Sequence, residues 1–283
     1  MPLRLNRDFN KSLCLVKFHL KTGELMLDKI IGISKEAGEI IRDGFGKKLT
    51  LEYKTNVTDY VTNIDKASEE MIIDFIRKEF PTHNILAEES GRSDGISEYT
   101  WVIDPLDGTM NFAHGLPIFS VSIGVMKNNK IIAGVVYDVM MDIVYSSEKG
   151  SGAFANDIKL NVSNTTDLAK SLLVTGFPYD IKDNPKNAIG KFGDFLKVAS
   201  GVRRLGSAAI DCCYVASGAF DGFWEVRLNA WDICAGHLLI EEAGGKVTNF
   251  SDQKIDYRNY NDIELLATNG KIHGKLMEIL NEK

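Results

Sequence analysis

The chain has 283 residues, which exceeds the usual size of one domain and predicts either one large domain or two closely packed ones. Lysine and arginine total 33 against 39 aspartate and glutamate residues, and this net charge of −6 argues against nucleic-acid binding through the whole surface. Four cysteines without CxxC spacing argue against a disulfide framework and favour a cytoplasmic location.

Residues 1–26 are expected to form a flexible extension before the folded part of the chain. Arginine and lysine dominate this stretch, so an organelle-targeting arm is an alternative interpretation, and a start codon placed too early is another. No apolar run in the sequence reaches membrane-spanning length, and we therefore expect no membrane span.

Residues 27–164 are predicted to combine helices with an antiparallel sheet. Apolar residues recur at helical spacing in two stretches, the first ended by Gly46 and the second by Pro81. Asn128 and Asn129 indicate the turn of a hairpin between two longer apolar runs. The predicted helices cover residues 27–45 and 64–80, and the predicted strands cover 84–87, 100–103, 119–126, 131–137 and 143–147.

Residues 165–283 are predicted to form a layered α/β half, because strands and helices alternate there. No repeat or clear linker separates the two parts, so we expect them to share an interface with a cleft that holds the site. The predicted order is strand 172–175, helix 187–199, a strand, helix 208–216, strand 221–225, helix 232–243, two strands and a closing helix.

The segment WVIDPLDGTMNF at residues 101–112 is the most informative feature of the sequence. Asp104 and Asp107 end an apolar strand, and they can turn toward one point if Pro105 bends the chain between them. Carboxylate oxygens are the ligands that Mg²⁺ prefers, while the N–H groups of Gly108 and Thr109 can face an anion. One short segment therefore predicts metal ligands beside a phosphate cradle.

Further acids stand where such a site can use them. Glu88 and Glu89 lie near the end of the run ILAEES, Asp59 and Asp65 lie in TDYVTNID, and Asp232 opens the helical run WDICAG. Taken singly, each has an ordinary explanation: a solvated loop for the glutamates, a surface helix position for Asp65 and a helix N-cap for Asp232.

Together these motifs resemble the inositol monophosphatase family of Mg²⁺-dependent phosphomonoesterases. The resemblance runs from about residue 27 to the C-terminal helix, and it implies a layered αβαβα sandwich, a mixture of α+β and α/β organisation. It also implies a homodimer and inhibition by Li⁺. The sequence motifs that carry it are AEES at 87–90, DPLDGTMNF at 104–112 and WDICAGHLLIEEAGG at 231–245, with support from KTNVTDYVTNID at 54–65, GVVYDV at 134–139, GSAAID at 206–211 and DGFWE at 221–225.

The resemblance implies two to three Mg²⁺ ions in each subunit. Glu88, Asp104 and the backbone carbonyl of Leu106 would hold the first ion, and Asp104, Asp107 and Asp232 the second. A third, weaker ion would use Glu88 through water. The charges support this reading independently, because a pocket of carboxylates repels a phosphate dianion unless divalent cations reverse the local field.

The resemblance also assigns the remaining roles. Thr109, oriented by Asp65, would position the attacking water, and the N–H groups of Gly108 and Thr109 would bind phosphate oxygens. Glu225, Asp107 and the backbone N–H of Ala208 would contact hydroxyl groups of a polyol. An alternative mechanism, direct attack by Asp104 or Asp107 on phosphorus, ranks below attack by metal-activated water because the DxxD spacing with GTMNF after it matches the family.

Two alternatives to an inositol monophosphatase remain at this point. One is another phosphatase of the same superfamily that acts on fructose 1,6-bisphosphate, histidinol phosphate, NADP(H) or a 3′-phosphoadenosine nucleotide. The other is a binding partner in transcription or ribosomal RNA maturation with residual phosphatase activity. The sequence gives the second little support, because nothing in it forms a dense basic and aromatic surface.

Overall fold

The structure is a computed structural model that describes residues 22–54 and 60–282. The elements up to residue 159 are α1 (Thr22–Gly44), β1 (Leu51–Tyr53), β2 (Tyr60–Thr62), α2 (Asn63–Glu79), β3 (Asn84–Ala87), β4 (Gly91–Ser93), β5 (Tyr99–Asp107), α3 (Thr109–Ala113), β6 (Ser120–Lys127), β7 (Lys130–Asp138), β8 (Ile143–Glu148), β9 (Gly152–Ala155) and β10 (Ile158–Lys159). The later elements are β11 (Leu172–Thr175), α4 (Ala188–Val198), β12 (Gly201–Arg203), α5 (Ala208–Ala216), β13 (Gly222–Leu228), α6 (Ala230–Glu242), β14 (Lys246–Thr248), β15 (Ile263–Thr268) and α7 (His273–Asn281).

The helices begin and end close to their predicted limits. Gly46 follows α1 in a left-handed conformation, and α2 ends just before the predicted stop at Pro81. The first helix nevertheless begins at Thr22, so the predicted extension is too long at its C-terminal side, and residues 1–21 lie outside the described part of the chain. No helix in the described residues combines the length and apolar content needed to cross a bilayer.

Strands β3 to β10 form one large sheet in the order β10-β9-β8-β7-β6-β5-β3-β4. The predicted hairpin is confirmed: Asn128 and Asn129 join β6 to β7, both with positive φ, as a type I′ turn requires. The predicted antiparallel sheet is wrong for one pair, because β3 and β5 are parallel neighbours. The chain folds back from β3 into β4 at the edge and returns on the other side of β3.

A second sheet has the order β12-β11-β13-β15-β14. Strand β11 is parallel to both of its neighbours, while β15 is antiparallel to β13 and β14. Helices α4, α5 and α6 each follow a strand of this sheet and lead to another, which confirms the alternation expected for this half.

The helices and sheets stack in five layers. Helices α1 and α2 pack on one face of the large sheet, and α5 and α6 fill the space between the two sheets. Helices α4 and α7 cover the outer face of the second sheet, where they enclose a third apolar cluster. The result is the expected αβαβα sandwich, in which α6 is apolar on almost all sides because it touches both sheets.

Helices α5 and α6 approach each other closely at a glycine. A Cβ atom at Gly236 would lie 2.4 Å from the Cβ of Cys212, so a larger residue in α6 would push the two helices of the middle layer apart. Both helices are buried along this contact, and neither has room to move outward.

We expect Gly236→Ala to lower the free energy of unfolding by about 1–2 kcal/mol, because overpacking outweighs the better helix propensity of alanine. Gly274→Ala in α7 is the matched control, since no heavy atom lies within 4 Å of its added Cβ. Urea unfolding measures both variants. Equal stabilities for the two would contradict the close contact.

Candidate active site

The carboxyl ends of β3 and β5 lie at the same edge of the large sheet because these strands are parallel neighbours. Glu88 follows β3 directly, and Asp104 and Asp107 lie in the last four residues of β5. The backbone N–H of Glu88 donates to the carbonyl of Ile103 at 3.1 Å, which fixes the two strand ends relative to each other. Two distant motifs thus meet at one place.

An irregularity in β5 produces the predicted bend between its two aspartates. Asp104 pairs with Ser122 of β6 and Asp107 with Ser120, so one extra residue of β5 bulges out between these pairs. The N–H of Leu106 donates to Asp104 Oδ1 at 3.0 Å and stabilises this bulge. The bulge re-aims the strand end toward the pocket that both aspartates line.

Glycine is required at position 108, the residue before α3. Its φ is +97°, and an added Cβ would lie 2.9 Å from the carbonyl oxygen of Ile118. Any side chain here would be strained and would clash with backbone. The absence of a side chain leaves the backbone at the start of α3 open to the pocket, as the sequence predicts for Gly108.

Thr109 and Asp65 form a buried hydrogen-bonded pair. The hydroxyl of Thr109 lies 2.8 Å from Asp65 Oδ1 and 3.0 Å from the carbonyl oxygen of Leu106, so it can donate to either oxygen. Asp65 also accepts from the backbone N–H and the hydroxyl of Thr62 in a capping box at the start of α2. Burial raises the pKa of Asp65 to about 6, against the opposing effect of these hydrogen bonds.

Lys54 forms ion pairs with both glutamates of the AEES motif. Its Nζ lies 2.8 Å from Glu88 Oε1 and 2.6 Å from Glu89 Oε1. Burial works against the charged lysine, but the charge of Glu88 prevails and raises the lysine pKa above its usual value. Burial and the charge of Glu88 raise the pKa of Glu89 to about 7, while Lys54 opposes this shift.

Asp107 is held from the middle layer of the sandwich. Ser207, the N-cap of α5, donates its hydroxyl to Asp107 Oδ2, and the N–H of Ala209 donates to the same oxygen at 2.9 Å. The N–H of Ala208, predicted as a substrate contact, donates to Asp107 Oδ1 at 3.3 Å. Burial raises the pKa of Asp107 to about 6, and the bonds from Ser207 and α5 limit the rise.

Asp232 opens α6 at the pocket wall. Its Oδ2 accepts the backbone N–H of Asn229 at 2.6 Å, within a capping box whose N-cap is Asn229. The N-cap interpretation of Asp232 is therefore wrong by three residues, although the side chain does cap the helix. Burial raises its pKa well above the usual range, and the charges of Glu88 and Asp107 add to this rise.

Four of these acids repel one another within a pocket of 170 Å³: Glu88, Asp104, Asp107 and Asp232. Asp104 is 2 % exposed, and burial together with the charges of Glu88, Asp107 and Asp232 raises its pKa well above the usual range. In residues 22–54 and 60–282, however, no group of three or more His, Cys, Asp or Glu side chains is already arranged to hold a metal ion. Lysine, hydroxyl and backbone partners engage several of the carboxylate oxygens instead.

Glu225 lies on the other side of the same pocket, on β13. A Cβ at Gly176 would lie 2.2 Å from Glu225 Oε2, so glycine lets the loop after β11 pack directly on this carboxylate. Burial raises the pKa of Glu225 to about 8, which Arg204 opposes and Asp107 reinforces. Asp211 of α5 also lines the pocket, and its Oδ1 is buried without a hydrogen-bond partner in the described residues.

Sequence reasoning named a set of site residues, of which the structure places all but Asp65 in the pocket lining, and Asp65 reaches the pocket through Thr109. Asp59 lies outside the described residues. Sequence reasoning missed the contacts of Lys54 and Ser207 and the position of Asp211 in the pocket wall. All three stand inside motifs that signalled the site, KTNVTDYVTNID and GSAAID, so their position was visible although their partners were not.

Comparison with known proteins agrees with this fold. The profile of the inositol monophosphatase family matches residues 24–283. The protein named Nus factor SuhB of Pasteurella multocida is 46% identical over 228 residues, which cover 80% of this chain and 85% of that protein. The inositol-1-monophosphatase of Mesorhizobium japonicum is 41% identical over 226 residues, which cover 79% and 85%.

Solved structures are similar over most of the chain. The extragenic suppressor protein suhB of Bartonella henselae has a TM-score of 0.86 at 35% identity, covering 91% of this chain and 99% of that one. An IMPase/NADP phosphatase complexed with Mg²⁺ and phosphate has a TM-score of 0.80 at 25% identity, covering 93% and 97%. The family match and these relatives thus show that the chain is a phosphoric monoester hydrolase. Within that class, the chain belongs to the inositol monophosphatase family.

Glu225 makes stability depend on pH in the absence of divalent cations. Its carboxyl keeps a proton up to a pH of about 8 in the folded chain, against an ordinary value of 4.5. The folded state therefore binds more protons, and this contribution to stability is complete below pH 4.5 and is lost as pH rises toward 8. We expect Glu225→Gln to lose less unfolding free energy than the wild type between pH 5 and pH 8.

Denaturant unfolding in EDTA at a series of pH values measures this difference. Glu278→Gln removes an exposed carboxylate of α7 and is the matched control. Parallel stability curves for the wild type and Glu225→Gln would contradict the raised pKa.

Proposed function

We propose that this chain hydrolyses inositol monophosphate, or a similar small polyol or sugar phosphate, to the free polyol and inorganic phosphate. One observation carries the proposal: four acids from three separate places in the fold act on one another electrostatically beside the Thr109 hydroxyl. They are Glu88 after β3, Asp104 and Asp107 at the end of β5, and Asp232 in α6. A buried set of like charges lowers the stability of the fold. Divalent cations bound by these carboxylates would remove the repulsion and attract a phosphate dianion.

We further propose that the site holds Mg²⁺ through oxygen ligands only. Glu88, Asp104 and the Leu106 carbonyl would hold one ion, and Asp104, Asp107 and Asp232 another, with a third weaker ion near Glu88. The donor set fits the metal, because it consists of carboxylate and carbonyl oxygens at the wall of one pocket. The similar solved structure of an IMPase/NADP phosphatase complexed with Mg²⁺ and phosphate supports Mg²⁺ as the metal.

When bound, Mg²⁺ lowers the pKa of a coordinated water and stabilises negative charge on the phosphoryl and leaving oxygens. The chain itself supplies the path for the proton. The Thr109 hydroxyl can donate to Asp65 Oδ1, so its lone pairs are free to accept a hydrogen bond from the attacking water. Asp65, with a pKa of about 6, is suited to take up a proton near neutral pH.

The start of α3 would bind the phosphate oxygens. Gly108 has no side chain to block approach, and the N–H groups of Gly108 and Thr109 belong to the first turn of this short helix. The aspartates of β5 flank the same turn, so phosphate bound there would lie next to the proposed metal ligands.

The substrate side of the pocket favours a small polyol. Glu225 and Asp107 offer carboxylate oxygens to hydroxyl groups, and a hydroxyl at the Ala208 N–H would replace its long bond to Asp107. The volume of 170 Å³ lies below the roughly 300–1,000 Å³ typical of sites for drug-sized ligands. A small polyol or sugar phosphate fits this volume.

Two further properties rest on the family resemblance, and a third, the location in the cell, rests on the cysteine spacing. We propose a cytoplasmic homodimer whose activity is inhibited by Li⁺ through competition at the second metal position. A second function, binding to the transcription machinery, is favoured by the name Nus factor carried by the relative from Pasteurella multocida. The net charge of −6 gives that function no direct support.

Kinetics on a panel of phosphomonoesters test the proposal. We expect phosphate release to require Mg²⁺, to stop with EDTA, to fall in millimolar Li⁺ and to be fastest with inositol monophosphate or another small polyol phosphate. A hundredfold preference for a nucleotide would contradict the substrate class. Release that is indifferent to EDTA would contradict the metal site.

The hydroxyl of Thr109 gives a sharper test of the mechanism. We expect Thr109→Val to lower kcat by about a hundredfold or more, because the water loses its positioning oxygen, and Thr109→Ser to stay within about tenfold of the wild type. Equal losses in both variants would contradict the role of the hydroxyl. A transcription role would survive the valine substitution, so a cellular phenotype that persists with this variant separates the two functions.

A further inference from the structure

One face of α2 contacts three separate segments of the pocket wall. Asp65 accepts the hydroxyl of Thr109, and Ser68, one turn further along, donates its hydroxyl to the carbonyl of Pro105 at 2.9 Å. Glu69 reaches the turn that follows Glu88. The helix is therefore hydrogen-bonded to three segments: the start of α3 at Thr109, the bulge of β5 at Pro105, and the turn of residues 88–90, here called the glutamate turn.

Glu69 binds this glutamate turn with both of its carboxylate oxygens. Oε2 accepts the backbone N–H of Glu89 at 2.9 Å, and Oε1 accepts the backbone N–H of Ser90 at 2.8 Å. The side chain is 4 % exposed, and no lysine or arginine of the described residues forms an ion pair with it. Its buried charge is compensated by two charge-assisted hydrogen bonds from successive amides.

These bonds stabilise a turn whose backbone is otherwise hydrogen-bonded only at its ends, while Lys54 contacts its side chains. Ala87 pairs with Gly91 in the β3–β4 hairpin, and the N–H of Glu88 donates to Ile103 of β5. The two backbone N–H groups between Glu88 and Gly91 belong to Glu89 and Ser90, and the Glu69 carboxylate accepts a hydrogen bond from each. The backbone at Glu88 is thereby fixed from the β5 side and from the α2 side.

We propose that Glu69 is a positioning residue for the Glu88 carboxylate, which acts through the backbone of the turn to set the affinity of the site for Mg²⁺. The inference rests on the proposed function, because it presumes that Glu88 is a metal ligand. Glu69 itself does not line the catalytic pocket and touches neither substrate nor metal.

Glu69→Gln tests the proposal with almost no change in shape. A glutamine has one acceptor oxygen, and its NH₂ group faces an N–H donor, so at least one of the two bonds is lost. We expect the Mg²⁺ concentration at half-maximal activity and the Mg²⁺ dissociation constant measured by calorimetry to rise about tenfold. At saturating Mg²⁺, kcat and KM are expected to stay within about twofold of the wild type.

Glu70→Gln is the matched control. Glu70 is the next residue of α2 and is exposed, so its substitution removes the same charge without touching the turn. Amide hydrogen exchange without metal supplies an independent measurement: the amides of Glu89 and Ser90 are expected to exchange faster in Glu69→Gln and at the wild-type rate in Glu70→Gln.

The outcomes separate the two proposals. If the wild type shows no Mg²⁺ dependence, the proposed function fails before the variant is considered. If the wild type requires Mg²⁺ and both variants bind it equally, Glu69 does not position the ligand. A Glu69→Gln chain that fails to fold, or whose activity saturating Mg²⁺ does not restore, also overturns the proposal, because the residue then supports the fold or the chemistry rather than the ligand.

Discussion

Mutual repulsion among buried carboxylates is the constraint on which this structure depends. Asp104 is almost fully buried, and the charges of Glu88, Asp107 and Asp232 all raise its pKa. Without compensation such a cluster would protonate or destabilise the fold. Lys54 offsets part of the charge at the edge of the cluster, and hydroxyl and amide donors at the starts of α5 and α6 offset more. Divalent cations would compensate the negative charge that these protein groups leave.

The scaffold meets this constraint with ordinary secondary structure. Strands β3 and β5, the one parallel pair of the large sheet within the described residues, lie where Glu88 and the aspartates must come together. A bulge turns the end of β5, and a glycine with positive φ starts α3. The first turn of α5 donates to Asp107, and the first turn of α6 carries Asp232. Placing the acids on rigid elements keeps them in place despite their repulsion.

Local patterns predicted the long helices, the Asn128–Asn129 hairpin and the layered architecture, because period and turn chemistry are properties of neighbouring residues. The short elements β1, β2, β4 and α3 carry too few residues for a period and were missed. The parallel pairing of β3 was also missed, since register between distant strands leaves no local trace. For the same reason, the sequence pointed to the site motifs while the partners of Lys54 and Glu69 became visible only in the fold.

The contact between Asp107 and the first turn of α5 joins two layers of the sandwich. The carboxylate comes from the large sheet, and its donors Ser207 and Ala209 come from the helix that leads into β13 of the second sheet. A slip of one sheet past the other by a single residue would leave this acid without its donors. The pocket therefore forms only when the two sheets pack in the correct register, and neither half of the molecule contains it alone.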